Sequence, residues 1–395
     1  MTEQQHSMTE CYHPMTEQLL AWYDAERRIL PWREDPTPYH VWLSEIMLQQ
    51  TRVDTVIEYY ERFLRTLPDV ASLAAAPEEV CLKLWEGLGY YRRIRNMHKA
   101  AGVIMEEHGG VIPGTAAELG RLPGIGGYTA AAIASIAFGE AIPSVDGNLL
   151  RVYTRITGDE RPVDKAEAKK AAEDWFRERI PEDRPGDFNQ ALMDLGATVC
   201  LPNGEPLCER CCWREHCTAQ REGTWESLPV KTAKKPPTEE ERTVLLIRTD
   251  DRVFLRKRPE GELLAAMLEF PSFPGTLTED EALDAAEKLL RASGYVVNIE
   301  RVEALPKAEH VFSHRIWRMS GYLMRLEETA LTINGLEAGA ALAGTRVADE
   351  KPEEVFAFPA EISEVVSKEG RYALPSAFRA YRRELKKQLK SGNRA

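Results

Sequence analysis

Four cysteines, Cys200, Cys208, Cys211 and Cys217, fall within eighteen residues, and no other feature of the 395-residue chain restricts its folding so tightly. Four thiolates that close together can wrap one compact soft-metal centre, which would pin the segment into a closed loop. Structural zinc usually draws on two separate Cys-x2-Cys knuckles, and here there is one, so the spacing favours a 4Fe–4S cluster with zinc as the rival. Cys212 is the spare, because adjacent thiols cannot easily share one centre. Cys11 and Cys81 stand alone, and in a reducing compartment the crowded group reads as metal-binding sooner than as disulfides.

The loop closes a long helical stretch. From about Met15 to Trp225, segments such as VWLSEIMLQQTRVDTVIEYYERFL and TAAAIASIAF carry apolar residues at three- and four-residue spacing, with Pro and Gly between them. The composition then changes at LPVKTAKKPPTEEER, which reads as a solvated linker over residues 230–241. Beyond it TVLLIRT and RVFLRKR form a hairpin around Asp250-Asp251, followed by the helix EDEALDAAEKLLRAS and the strands of HVFSHRIWRMSGYLMRL. The expected architecture is multi-domain: a disordered tail over 1–14, a mainly α-helical domain over 15–229 holding the loop 200–217, the linker, and an α+β domain over 242–389. No apolar run reaches membrane-spanning length and the N-terminus lacks a signal-peptide pattern, so the expectation is a cytoplasmic protein with no membrane partner. A net charge of −12 argues against non-specific coating of nucleic acid, leaving only local contacts possible.

Two shorter motifs carry chemistry. Leu122-Pro123-Gly124-Ile125-Gly126-Gly127-Tyr128 lies between helical stretches and sets bare backbone N–H groups at a helix N-terminus, a geometry that binds phosphate without positive side chains. An ordinary helix–turn–helix corner is the alternative. Val145-Asp146-Gly147-Asn148 precedes LLRVYTRI, where an Asp is most simply a helix N-cap.

In this order, a helix–hairpin–helix, an Asp some twenty residues later and a four-cysteine loop resemble the endonuclease III superfamily. Within it, LPWR (Leu30–Arg33), PYHVWLSEIMLQQT (Pro38–Thr51), LWEGLGYYRRIRN (Leu84–Asn96), VDGNLLRV (Val145–Val152) and FNQALMDLGATVC (Phe188–Cys200) resemble the MutY-type adenine DNA glycosylases. HVFSH (His310–His314) extends the likeness into the second domain. One departure is the first cysteine spacing, seven residues where the family commonly has six.

The resemblance implies a monomeric, DNA-associated bacterial enzyme that flips adenine out of a pair with 8-oxoguanine or guanine and hydrolyses its N-glycosidic bond. Glu45 matches the general acid, kept protonated by its apolar surroundings. Asp146 matches the carboxylate that steadies an oxocarbenium-like sugar, and its cap hydrogen bonds would help to keep it ionised. Tyr128 and Asn148 match supporting positions; bifunctional relatives carry Lys at the first, so Tyr128 implies a monofunctional enzyme with water as nucleophile. Arg28, Trp32, Arg33 and Gln190 match the adenine pocket, and Gln50 and Tyr90 match residues that wedge into the base stack. The resemblance implies one [4Fe-4S] cluster on Cys200, Cys208, Cys211 and Cys217, and DNA contacts at Gly124 and Gly126.

The second domain resembles a Nudix fold. Its segment Glu287-Lys288-Leu289-Leu290-Arg291-Ala292-Ser293-Gly294 lacks three of the carboxylates with which Nudix hydrolases hold Mg²⁺, so no catalytic Mg is expected. Phe312, Ser313 and His314 match the loop that reads 8-oxoguanine. Rival readings are an oxidised-pyrimidine glycosylase-lyase, opposed by Tyr128 and the second domain, and a non-catalytic iron–sulfur DNA-binding module, opposed by Glu45 with Asp146.

Overall fold

The computed structural model describes residues 12–392 apart from 234–235, 260, 297, 328–331, 334–355 and 368–369. The chain divides into two units: residues 1–81 with 92–234, and residues 82–91 with 235–395.

The first unit is built from short helices: α1 (Pro14–Glu26), α2 (Pro31–Glu34), α3 (Pro38–Leu48), α4 (Val53–Thr66), α5 (Val70–Ala75), α6 (Glu78–Leu84), whose last residues pass into the second unit, α7 (Arg92–Glu107), α8 (Ala116–Leu119), α9 (Gly127–Phe138), α10 (Gly147–Thr157), α11 (Ala166–Arg177), α12 (Pro185–Thr198) and α13 (Thr218–Glu222). Proline opens α1, α2, α3 and α12, where its missing N–H leaves no bond unmade. Pro14 therefore begins a helix rather than ending a tail. The expected disordered stretch is described only from Tyr12, and residues 1–11 lie outside the described residues. Thr37 caps α3 and Asp146 caps α10, while Gly139 and Gly158 close α9 and α10 in the left-handed conformation. Leu19, Leu149, Phe176, Phe188, Leu192 and Trp213 meet in one buried core against which Cys200, Cys211, Cys212 and Cys217 pack, so the cysteine loop is seated on α1, α10, α11 and α12.

The second unit is a mixed sheet between helices. Its main strands are β1 (Thr238–Arg248), β2 (Arg252–Lys257), β3 (Leu268–Glu269), β4 (Ser272–Pro274), β6 (Ile299–Val311), β7 (Arg315–Leu326) and β9 (Ala357–Glu361); β5 (Tyr295–Val296) and β8 (Thr332–Ile333) form a separate pair. The spatial order is β3-β2-β1-β7-β6, with β4 added to β1 and β9 to β2. β1 and β7 run parallel, and the other pairings are antiparallel. Alternate residues of β1 face opposite cores. Val244 and Leu246 pack toward Phe378, Tyr381 and Leu385 near α16 (Arg379–Gly392), whereas Leu245 and Ile247 pack toward α14 (Glu279–Ala292).

The linker is shorter than its composition suggests, because β1 starts at Thr238 and its first residues pair with Arg315–Arg318. Cross-strand charge holds this Glu-rich stretch in the sheet: Glu239 bonds Arg318, and Glu240 bonds Arg315 and the indole of Trp317. Residues 82–91 also depart from the expected boundaries, clustering with the second unit although sequence placed them in the helical domain. Lys83 donates to the Tyr372 carbonyl, and Glu86 accepts from Arg382 at 2.5 Å.

Candidate active site

Six helices, α2, α3, α4, α9, α10 and α12, contribute to the lining of a cavity of about 530 Å³, within the range typical of small-molecule sites. α3 supplies Glu45 on an otherwise apolar turn, and the residue is only 5% exposed. The Tyr128 hydroxyl, from the first turn of α9, donates to Glu45 Oε2 at 2.7 Å. Burial raises the Glu45 carboxyl to about 7; the Tyr128 hydrogen bond and the Arg33 charge oppose the rise, and the Asp146 charge adds to it. A carboxyl that titrates there can hold a proton at neutral pH and give it up.

Asp146 sits opposite as the cap of α10. Its Oδ1 accepts from the backbone N–H groups of Asn148 at 2.8 Å and Leu149 at 2.9 Å, and its Oδ2 from Asn148 Nδ2 at 2.9 Å. Capping and site placement thus coincide. Burial nevertheless wins over the three donors and raises Asp146 above the usual carboxylate range, so the cap lessens the shift without reversing it. Asn148 is fixed in turn by Arg151, which donates to Asn148 Oδ1 at 3.0 Å and to the Gly196 carbonyl at 2.7 Å. Gly196 of α12 admits this approach, because a Cβ there would lie 2.8 Å from Asn148 Cβ.

The cavity mouth is formed by the turn after α3. Arg93 Nη1 donates to the carbonyls of Ile46 at 2.8 Å and Met47 at 3.1 Å, completing the C-terminus of that helix. Gln50 follows with φ of 59° and Tyr90 has φ of 48°, backbone conformations that side-chain-bearing residues seldom adopt. In the hairpin before α9, Gly124 has φ of 78° and a Cβ there would meet Asn96 Cβ at 2.4 Å, so glycine is required; Gly126 has open space where its Cβ would be.

The curated relatives decide the family. The chain is 35% identical over 365 residues to the adenine DNA glycosylase of Mus musculus, covering 78% of this chain and 70% of that one. Against the adenine DNA glycosylase of Buchnera aphidicola (Acyrthosiphon pisum) it is 33% identical, covering 78% and 85%, and against that of Schizosaccharomyces pombe 32% identical, covering 78% and 81%. The chain belongs to the adenine DNA glycosylase family. Residues 43–178 match the HhH-GPD superfamily of base excision DNA repair proteins and residues 243–368 match the NUDIX domain. It is thus a base-excision-repair glycosylase with a helical helix–hairpin–helix unit and a Nudix-like unit, as its resemblance implied.

The glycosylase cavity gathers Glu45, Tyr128, Asp146, Asn148, Gln50, Arg28, Trp32, Arg33 and Gln190. Tyr90 lies elsewhere, in the second unit, where its hydroxyl is 2.8 Å from Ser313 Oγ. Phe312 packs edge-on against His310, at 4.6 Å between centroids, and against Trp317 at 4.9 Å; Ser313 and His314 follow it in the turn between β6 and β7. Asp194 is absent from the sequence reading, and it anchors the cavity wall by bonding both Arg28 and Arg33. An isolated carboxylate in the apolar helical run ALMDLGA was the available signal.

Among the described residues no three His, Cys, Asp or Glu side chains are grouped as metal ligands. Cys200, Cys208, Cys211 and Cys217 nevertheless line one small cavity with Val152, Leu195 and Trp225, and Cys212 does not. The Cys212 thiol bond to Cys211 lowers Cys211 and raises Cys212, which makes Cys211 the readier thiolate of the two. Arg155 Nη1 lies 3.3 Å from Cys200 Sγ, a cation beside the sulfurs that would offset thiolate charge. The donor set is all sulfur, and its lining is mainly apolar with Arg155 and Arg214 beside the thiols, which fits an iron–sulfur cluster.

Proposed function

We propose that this enzyme excises adenine paired with 8-oxoguanine or guanine in duplex DNA, acting on a flipped nucleotide, with Glu45 as general acid and Asp146 as the carboxylate that steadies the sugar cation. One arrangement carries the reading: a buried carboxyl, pushed up to about 7 by desolvation, shares with a second carboxylate a cavity of about 530 Å³, room enough for a flipped nucleotide. Glu45 passes its proton to adenine N7, so that the base leaves as a neutral purine. Ionised Asp146 lies where positive charge develops on the sugar, and water completes the hydrolysis. Tyr128 holds Glu45 and Asn148 holds Asp146. A tyrosine at position 128 supplies no amine for a Schiff base, so the strand stays intact.

Trp32, Arg28, Arg33 and Gln190 surround the extruded base. Gln50 and Tyr90 enter the gap it leaves, and their left-handed backbones suit a role in which strain is held for function. Gly124 and Gly126 present backbone N–H groups to phosphate. The turn Phe312-Ser313-His314 reads the opposite base, supported by the Tyr90–Ser313 hydrogen bond. Cys200, Cys208, Cys211 and Cys217 would hold the 4Fe–4S cluster, which when bound cross-links the loop. The C-terminal half of α14 carries Lys288 and Arg291 in place of metal-binding carboxylates, so the second unit recognises rather than hydrolyses.

The test is product analysis on a duplex with adenine opposite 8-oxoguanine. The reading requires free adenine and an abasic strand that stays uncut until base is added. Borohydride trapping of an enzyme–DNA adduct, or excision of oxidised pyrimidines instead of adenine, contradicts it. Asp146→Asn should bind the duplex and release no adenine at a measurable rate.

A further inference from the structure

Behind the cavity's arginines lies a carboxylate, Asp194, that the proposed chemistry does not use. Asp194 of α12 has a side chain only 1% exposed. Its Oδ1 accepts from Arg28 Nε at 2.7 Å and Arg33 Nη2 at 3.0 Å, and its Oδ2 from Arg33 Nη1 at 2.7 Å and the Arg28 backbone N–H at 3.2 Å. Arg33 Nη1 also donates to the Arg28 carbonyl at 3.2 Å, which ties the α1–α2 connection to the same point. Arg28 and Arg33 line the catalytic cavity and, with Leu30, Ile136 and Gln190, a second cavity of about 540 Å³ as well. Both arginines therefore border both cavities, and Asp194 anchors them.

The charges around Glu45 can be counted element by element. Arg28 comes from the α1–α2 connection, Arg33 from α2 and Asp146 from the cap of α10; Asp194 of α12 stands behind the two arginines, and α9 adds the neutral Tyr128 hydroxyl. α4 contributes only Val53 to the cavity lining, and α7 places Arg93 at the carbonyl end of α3. Arg151 of α10 acts on Asp146 from behind Asn148; apart from it, two cations, Arg28 and Arg33, are matched by two carboxylates, Asp146 and Asp194. Burial works to raise Asp194, but the hydrogen bonds and charges of Arg33 and Arg28 outweigh it and hold the group below the usual carboxylate range, so it is ionised at neutral pH. Arg33 is one of the groups that work against protonation of Glu45.

We propose that Asp194 is the positioning residue that sets the charge balance of the catalytic cavity: it locks Arg28 and Arg33 into the wall and cancels one of their two charges, so that Glu45 keeps its proton. This rests on the reading of Glu45 as the acid. Without Asp194, two guanidiniums in a low-dielectric wall would face Asp146 as their sole carboxylate counterion, and the excess cation would favour ionised Glu45. The same change would free both arginines to swing, since each loses the acceptor that fixes its fork.

The experiment is single-turnover adenine excision by the full-length enzyme as a function of pH, for wild type, Asp194→Asn, Asp194→Glu and the double variant Arg33→Gln/Asp194→Asn. Asp194→Asn should move the alkaline limb about one pH unit toward acid, which is roughly a tenfold loss of rate on that limb. Asp194→Glu keeps the charge and should keep the limb in place even if its longer side chain slows the reaction at every pH. The double variant removes one charge of each sign and should return the limb toward that of wild type; it and Asp194→Glu carry the test if Asp194→Asn does not fold. A uniform slowing with an unmoved limb in Asp194→Asn, a limb in Asp194→Glu shifted as far as in Asp194→Asn, or a double variant that keeps the single variant's shift overturns the proposal and leaves Glu45 as the acid. A wild-type profile with no alkaline limb removes the reading of Glu45 and this proposal with it.

Discussion

Glu45, the proposed acid, is buried at a cost that depends on pH. Glu45 has an ordinary value of 4.5 and a folded value of about 7. Below about pH 4.5 both folded and unfolded chains carry the proton and the burial is harmless. As pH rises toward 7 the unfolded chain ionises first, so stability falls, and above 7 the whole deficit is present. The gap corresponds to roughly 3 kcal/mol. Glu45→Gln removes the ionisation yet still accepts from Tyr128, so at about pH 8 its unfolding free energy should exceed that of wild type by roughly 2–3 kcal/mol. The difference should vanish near pH 4, and denaturant titration at the two pH values checks it. Equal stabilities at alkaline pH would mean that Glu45 is not desolvated as its position implies. The proposed roles of Glu45, Asp146 and Tyr128 come only from family resemblance, because a Glu among apolar residues, an Asp before a helix and a Tyr after a glycine turn each have a plainer explanation; what the structure adds is that the three share one cavity. Asp194 was not legible, since its two partners lie more than 160 positions away in sequence.

At the scale of elements, local chemistry showed through where one side chain fixes one backbone feature. Asp146 as an N-cap is of this kind. The start of β1 was not, because Glu239 and Glu240 are held in the sheet by Arg318 and Arg315, which come from another strand. The cysteine loop yields a prediction here. Its arginines, Arg210 and Arg214, form largely exposed pairs with Glu26 and Glu209, weak ties beside the proposed thiolate ligation. Iron content and visible absorbance of the purified protein should survive Cys212→Ser and be lost in Cys208→Ser and Cys217→Ser. Zinc in place of iron contradicts the assignment, as does a Cys211→Ser protein that keeps the cluster while Cys212→Ser loses it.

At the scale of the whole molecule, sequence periodicity separated a helical half from a strand-rich half, and both are present. It did not show that β1 and β7 run parallel, since strand direction depends on partners far apart in the chain, nor that residues 82–91 cluster with the second unit. That clustering places Tyr90 with the turn that bears Ser313 and His314. The double variant Ser313→Ala/His314→Ala should lower the preference for 8-oxoguanine over guanine opposite adenine by about tenfold, the scale of a lost polar contact or two. Excision from adenine–guanine pairs should stay near wild type. Unchanged preference would remove the turn from recognition, and nucleoside triphosphate hydrolysis by the full-length protein would contradict the loss of Nudix chemistry. The central claim, that Glu45 supplies the proton on which excision depends, is tested most directly by single-turnover kinetics of Glu45→Gln on a duplex with adenine opposite 8-oxoguanine. The account predicts a loss of at least ~10²–10⁴-fold in adenine release with duplex binding retained; near-normal release by that variant would contradict it.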